Sequence, residues 1–472
     1  MFEAEISQLE RNKLAEVLDT GEFMSHKATR GTETPDGPLT FDYLKSLVEA
    51  YLPNTSTALK LLLAVATSGI RKNRAMLWLI FVGSPSSGKT ELLRLIKKTP
   101  HVISLDSLTQ NSFISGERET NKQKVYDLLP KLDGKCLVIK DWTVIFSHDE
   151  RVTKKIIGDM VGIYDKSLEK VSSQRGVISY DVEFSHLGAI TPATLNKHHN
   201  YLNMIGPRFL LYTIPSLNEI DEDKSFKAIF DSENRKELEK KISAAIFDYL
   251  VFLNELDIAQ IKPLSGQIQE YLKVASRVMA RGRGIVILQS STFKNEEGEQ
   301  ISYYEPLDVQ IEQPFRAVQQ LITLSEYLAL VEDKIEVGEA EIEIIKEIVL
   351  SSMPADRSQA LRAIKGSENG EITVKQLSEQ VDKSIKTGRR LLEELVSAGL
   401  VEKIKGSGNI ASSYKLVSKF KDFILLTPQE FMSQKEDRGT ETPHTIDQLS
   451  RSDQLDVSKA IIGEGTRWED EK

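Results

Sequence analysis

The chain of 472 residues is 40% hydrophobic with a formal net charge of −9, enough apolar material for two or three domains with sizeable cores. Its single cysteine, Cys136, excludes an internal disulfide framework and suits a reducing compartment. No run of about 18 apolar residues occurs, and the opening MFEAEISQLERNKLAEVL is acidic and amphipathic, not signal-like, so a cytoplasmic protein without membrane contact is expected.

The negative charge argues at first against nucleic acid, whose phosphates are normally met by Lys and Arg. It is unevenly spread, however. Residues 430–472 hold 11 acidic and 6 basic side chains, a net −5, among Thr, Ser, Gln and Gly without a sustained apolar period. This acidic tail is expected to be largely disordered.

In chain order, residues 1–40 read as a helical segment and a polar linker dense in turn formers, with the string RGTETP at Arg30–Pro35 recurring at Arg438–Pro443. From 41 to 216, helical patterns alternate with short apolar strands at Trp78–Val82, Val102–Leu105, Cys136–Ile139, His186–Ile190 and Phe209–Ile214, the signature of a mostly parallel sheet covered by helices. Residues 217–365 are mainly helical, with 3.6-residue periods at Lys236–Leu256 and Ala317–Leu330, which fits a lid behind an α/β core. Residues 371–418 then give a short helix, a longer helix over Ser384–Ala398 and two strands around a Gly-Ser turn, a winged-helix arrangement.

The chemistry concentrates in Gly83-Ser84-Pro85-Ser86-Ser87-Gly88-Lys89-Thr90, a complete GxxxxGK[ST] loop between an apolar strand and a helix. Such a loop closes backbone N–H groups around phosphate oxygens at a helix N-terminus. Lys89 is then expected to reach the β/γ-phosphates of ATP and Thr90 to ligate Mg²⁺. The matching acid is Asp141, at the end of a second apolar strand. If it takes the metal-linked position, Trp142 stands where a glutamate usually activates water; if it is the base, Lys140 replaces the metal-linked acid. Asp149 and Glu150 are reserves. Thr191, ending a third strand, is a candidate contact for the γ-phosphate or attacking water. Arg208, immediately before an apolar strand, has the placement of an arginine that reaches a neighbouring subunit's site in ring ATPases.

These features resemble the AAA+ ATPases and, within them, the MCM-type replicative helicases, over about residues 41–417. Ala189-Ile190-Thr191-Pro192 is similar to the family's sensor strand end, with Thr191 in place of its usual Asn, and Pro207-Arg208-Phe209 to its arginine-finger segment. Tyr271-Leu272-Lys273-Val274-Ala275 and Phe315-Arg316-Ala317-Val318-Gln319-Gln320-Leu321 resemble its lid segments. The likeness implies Arg316 as the lid arginine that contacts the γ-phosphate. It implies a β-hairpin before the sensor strand that carries Lys170 and Arg175 into a central channel. The chain lacks a Cys/His set for the family's zinc collar, and looks most like the shortened MCM-like ATPases of prophages and mobile elements.

In the winged-helix segment, Lys383, Lys386, Arg389 and Arg390 cluster at the start of the longer helix, with Lys403 and Lys405 at the wing. Residues 371–417 carry 8 basic and 6 acidic side chains, +2, unlike the tail. Duplex DNA is the expected ligand here, with protein contact as the alternative. The whole reads as an α/β P-loop AAA+ core with helical lid and C-terminal winged helix: an ATP-driven DNA helicase or translocase, hexameric, with single-stranded DNA in the channel and replication partners. The alternative is an ATP-dependent DNA-binding switch or loader that does not unwind.

Overall fold

The computed structural model describes residues 33–34, 37–72, 74–117, 126–198, 207–294, 300–367, 370–406 and 411–438. The expected N-terminal helix, most of the polar linker after it and the tail beyond 438 lie outside them.

The first half builds a sheet from β1 (Trp78–Val82), β2 (Val102–Leu105), β3 (Cys136–Ile139), β6 (Ser185–Ile190) and β7 (Phe209–Thr213), with a separate antiparallel hairpin of β4 (Ser167–Ser172) and β5 (Gly176–Asp181). The five sheet strands are all parallel, in the order β2-β3-β6-β1-β7. Because successive side chains point to opposite faces, β1 divides its residues: Leu79 and Phe81 enter one core, Trp78, Ile80 and Val82 the other. Both faces are covered, as continuous apolar strands demand. One side carries α4 (Glu150–Tyr164), through Ile156, Ile157, Met160 and Ile163. The other carries α1 (Phe41–Tyr51), α2 (Ser56–Ser68) and α3 (Lys89–Leu95). This is a mixed α/β architecture compatible with a Rossmann-like core.

α2 is apolar on nearly every side and buried throughout Ala58–Ser68, as a helix enclosed by protein must be. Its one charge, Lys60, lies 2.8 Å from Glu341 and 2.7 Å from Glu332. Burial alone would raise the Glu341 carboxyl, but Lys60 and Lys334 bring it down to about 2. The pair ties α2 to the second half of the chain.

There α5 (Glu219–Phe230), α6 (Ser232–Glu255), α7 (Gly266–Gly282), α8 (Phe315–Val331), α9 (Glu339–Ser351) and α10 (Ala355–Gly366) follow. One element in this mainly helical stretch is not a helix. β8 (Ile285–Lys294) and β9 (Gln300–Gln310) form a long antiparallel ribbon between α7 and α8; alternation there is broken by a register shift at Ile287/Leu288, which blurs the period-two signal.

Residues 371–416 form α11 (Val374–Gln380), α12 (Ile385–Ser397) and a three-stranded sheet of β10 (Glu371–Thr373), β11 (Val401–Ile404) and β12 (Ser413–Leu416), ordered β10-β12-β11. This unit is fastened to the rest. Arg357 reaches Glu394 (3.0 Å) and the carbonyls of Gly282 (3.1 Å) and Gly284 (2.6 Å), and Arg281 donates to Ala398 O (2.8 Å). α13 (Ser418–Leu425) and α14 (Pro428–Arg438) then turn back onto α7. The tail expected from residue 430 therefore starts later: Phe431 is buried, its ring 5.0 Å from that of Tyr271.

Candidate functional site

At the C-terminal edge of β1 the chain turns through Gly83–Gly88 into α3. Ser86 (φ 63°) and Gly88 (φ 80°) adopt the left-handed region, which glycine enters without strain and serine does not. A Cβ on Gly83 would stand 2.6 Å from Ser87 Oγ, so a larger residue there would have to displace the hydroxyl that Lys89 bonds. Lys89, 7% exposed, turns its Nζ into the loop and donates to Gly83 O (2.7 Å), Ser84 O (2.6 Å) and Ser87 Oγ (3.1 Å). Burial pushes its pKa below the ordinary lysine value, and the charge of Asp141 partly restores it. Thr90 is exposed beside it.

Asp141 and Thr191 stand just beyond the ends of β3 and β6, and β6 separates Asp141's strand from β1, so the order β3-β6-β1 brings both to the same edge as the Gly83–Thr90 loop. Asp141 is exposed, and its Oδ1 accepts from Thr143 N (2.8 Å). Thr191 caps the following helical turn by accepting from Thr194 N (3.3 Å), and its hydroxyl lies 2.9 Å from that of Thr194, itself 3.4 Å from Thr143 Oγ1. Thr143 and Thr194 are additions that the sequence does not single out; isolated threonines after strand ends carry no motif. The reserve acids are otherwise engaged, Asp149 as the N-cap of α4 and Glu150 with Lys154 (2.6 Å). Lys140 pairs with Asp106 (2.5 Å).

Trp142 has a structural role. It is fully buried and donates its indole N–H to His186 Nε2 (3.1 Å), while His186 Nδ1–H donates to Leu137 O (2.9 Å). The two partners fix the neutral imidazole tautomer, and burial lowers the His186 pKa to about 3. Position 142 thus points into the sheet's core and away from the loop edge, and no carboxylate follows Asp141.

Arg208 and Arg316 stand together at the opposite edge. Arg208 immediately precedes β7, whose first residue pairs with Trp78 and whose last pairs with Val82. About 13 Å of strand, at ~3.3 Å per residue, therefore separates it from the Gly83–Thr90 loop. Arg208 Nη2 lies 3.0 Å from Asp165 Oδ2, Arg316 Nη2 lies 3.8 Å from Asp165 Oδ1, and both guanidinium groups sit over the Tyr164 ring (5.8 and 5.7 Å). Gln320, fully buried, donates to Tyr164 Oη (2.8 Å) and Arg208 O (2.9 Å), clamping the group. A third arginine, Arg283, pairs with Glu312 beneath them, and among the described residues its two buried Nη atoms find no hydrogen-bond partner. A 580 Å³ cavity opens on this side as well, between Phe209, Leu211 and the foot of the ribbon at Gly284, and not at the Gly83–Thr90 loop.

The remaining candidate cations are mostly engaged by carboxylates. The expected hairpin exists as β4–β5, but Lys170 pairs with Asp159 (2.7 Å) and Arg175 with Asp127 (2.9 Å), both acids nearly buried. Burial lowers the Lys170 pKa and Asp159 offsets it. The two residues brace the hairpin, and its exposed end carries Val171 and Val177 instead. Around α12 and β11, Lys383 and Arg390 lie 4.0 Å from Asp356, Arg390 also pairs with Glu394, and Lys403 lies 2.5 Å from Glu393. Arg389 is half-buried, whereas Lys386 and Lys405 are exposed.

The fold and edges just described define a mixed α/β protein with a five-stranded parallel sheet. Among the described residues no helix is long and apolar enough to cross a membrane. No protein-family profile and no curated protein matches the chain. Among solved structures it is similar to one described as the A form apo structure of the NrS-1 C terminal region, at 11% identity over 87% of this chain and 90% of that chain, with a TM-score of 0.22.

Proposed function

We propose that this chain is an ATPase of the AAA+ type, resembling MCM helicases, which assembles as a ring, a hexamer in the resembling family, and drives DNA translocation or unwinding. The observation that carries the reading is the division of its candidate residues between the two ends of one parallel sheet. Lys89, Thr90, Asp141 and Thr191 share the C-terminal edge; Arg208 and Arg316 share the other. A nucleotide held at Lys89 is out of reach of the same chain's Arg208 and Arg316, so a complete site needs a second copy, placed head-to-tail. Such heterologous contacts close into a ring where the rotation between copies closes.

The loop would suit a triphosphate: a glycine-rich turn into a helix can close its backbone N–H groups around phosphate oxygens, and Lys89 is a desolvated cation whose present partners are neutral oxygens. Thr90 and Asp141 would hold Mg²⁺, which supplies charge neutralisation at the β- and γ-phosphates. Asp141 or the Thr143–Thr191–Thr194 hydroxyls would orient water. Residues 371–416 fit a winged helix, with Lys386 and Lys405, exposed and outside the ion pairs that hold Lys383, Arg390 and Lys403, as its cations for duplex DNA, and the β4–β5 hairpin is the element proposed for the single strand in the channel.

ATP turnover measured with and without single-stranded DNA, beside strand displacement, tests the reading: both activities are expected, and Lys89→Ala should abolish turnover while the protein stays folded. A second reading, an ATP-dependent DNA-binding switch or loader, is favoured by the burial of Trp142, which leaves no acidic pair at the strand end. DNA-dependent nucleotide binding without strand displacement would select it.

A further inference from the structure

Among the described helices of eight or more residues, α5 is the one that buries nothing. None of its side chains is buried, yet it carries Phe226, Ile229 and Phe230, which are 54%, 53% and 85% exposed. Positions i, i+3 and i+4 lie on one helical face, so these form a single apolar stripe. Soluble chains rarely leave such a face uncovered. The preceding turns are acidic, with Glu219, Glu222 and Asp223 exposed.

The place of the helix names what covers it. α5 packs on α1 and α6, and these flank the Gly83–Thr90 loop. Gly88 faces the side chain of Leu52 at the end of α1, Tyr51 Oη bonds Glu91 (3.3 Å), Arg235 of α6 bonds Tyr51 O (3.3 Å), and Arg94 of α3 bonds Glu239 of α6 (2.6 Å). The stripe therefore borders the loop edge, whose Lys89 is remote from Arg208 and Arg316. The opposite edge, which has those arginines, presents its own exposed aromatic residue, Phe315 (69%), beside Arg316. Apolar face and acidic first turn on one edge are complementary to Phe315 and to the other edge's arginine group, where Arg208 and Arg316 share the single carboxylate of Asp165 and keep one net positive charge.

We propose that the Phe226–Ile229–Phe230 face of α5 is the docking surface for a second copy of this chain, which seats its Phe315, Arg208 and Arg316 edge there. The inference rests on the ring reading above and deepens it by naming the contact. Head-to-tail packing follows from it, since the two surfaces differ and neither is self-complementary.

The test reads assembly without reading hydrolysis. Phe230→Cys introduces one accessible thiol, because Cys136 is fully buried with its thiol pushed up to about 12. Its labelling rate is expected to fall at least about tenfold as full-length protein is concentrated into the range where sedimentation shows assemblies. Phe226→Asp combined with Phe230→Asp, both at exposed positions, should raise the concentration for half-assembly at least about tenfold, the effect of removing one central anchor of an interface, with unchanged melting of the single chain. The double variant Phe230→Cys, Phe315→Cys should form a disulfide-linked ladder under oxidation. Labelling independent of concentration would assign the stripe to the chain's own residues or to another partner and overturn the proposal, as would unaltered assembly of the aspartate variant, or a simple dimer from Phe230→Cys alone. Loss of ATP turnover with these assembly results intact would sink the nucleotide reading and leave the docking surface standing.

Discussion

The guanidinium of Arg208 sits 3.0 Å from the carboxylate of Asp165, the residue that caps the C-terminal end of α4. Arg316, from a helix more than a hundred positions further on, reaches the same carboxylate. The resemblance read from sequence assigned these arginines separate duties. Their shared acid, shared Tyr164 ring and the Gln320 clamp make them one group at one edge.

If that group serves a neighbour's nucleotide, Arg208→Ala and Arg316→Ala should each bind ATP normally and turn it over slowly, by about 10³ for Arg208, the lower range for transition-state arginines. Mixed with Lys89→Ala chains, either variant should regain turnover, because one kind of interface then joins an intact loop to an intact arginine edge. Steady-state ATPase of titrated mixtures checks this. Activity no greater than the sum of the separate proteins would exclude action across the interface.

Gly188 is constrained by Trp142 and not by its backbone angles. A Cβ at 188 would lie 2.4 Å from the indole Nε1 and 3.1 Å from His186 Nε2. Gly188→Ala should therefore cost about 1–3 kcal/mol, the usual penalty of overpacking a filled core, read as a lower denaturation midpoint. An unchanged midpoint would mean that Trp142 is not held where its hydrogen bond to His186 puts it.

The strands were legible because each is a short, wholly apolar run between turn formers. Four of the five expected ranges agree with the structure at their first residue, and β6 starts one earlier, at Ser185. The loop at Gly83–Thr90 was legible for a similar reason: local spacing alone defines it. What sequence could not give was partnership across the chain. Lys170 and Arg175 look like cations for a phosphate backbone until Asp159 and Asp127, 11 and 48 positions away, are seen beside them. The same holds for Trp142, whose place in an acid motif hides a core contact with a histidine 44 positions on.

Lys170→Ala should accordingly act on stability. It removes one partner of Asp159, which is nearly buried and keeps Lys155 at 2.8 Å. A destabilisation of about 1–3 kcal/mol is expected, the penalty for leaving a buried polar group short of a partner, with proteolysis of the β4–β5 hairpin as the local readout. Intact stability together with a weaker salt dependence of single-strand binding would return this residue to the channel.

On the C-terminal unit, Lys386 and Lys405 are the cations to change, because Lys383, Arg390 and Lys403 are held by carboxylates. Lys386→Ala with Lys405→Ala should weaken duplex binding and reduce the slope of log affinity against log salt by about 0.9 for each phosphate no longer neutralised. Lys403→Ala, whose cation is held by Glu393 and lies over the Tyr414 ring, should leave the slope unchanged. Equal slopes for all three proteins would assign the unit to protein contacts.

The His186–Trp142 pair makes a prediction about acid. His186 titrates near its ordinary value of about 6.5 in the unfolded chain, and burial holds it near 3 in the folded one. Between those values the unfolded state binds the extra proton, so stability contributed by this group is fully present above about pH 6.5 and is lost as pH falls toward 3. The slope is up to about 1.4 kcal/mol per pH unit. His186→Gln keeps an acceptor for the Trp142 indole and removes the titration. It should be the less stable protein at pH 7, because the amide fills the imidazole's place imperfectly, and the gap should narrow steadily as pH drops to 4. Urea midpoints of both proteins at half-unit pH steps measure it. A gap that stays constant over that range would mean that His186 is already charged, or already exposed, in the folded protein.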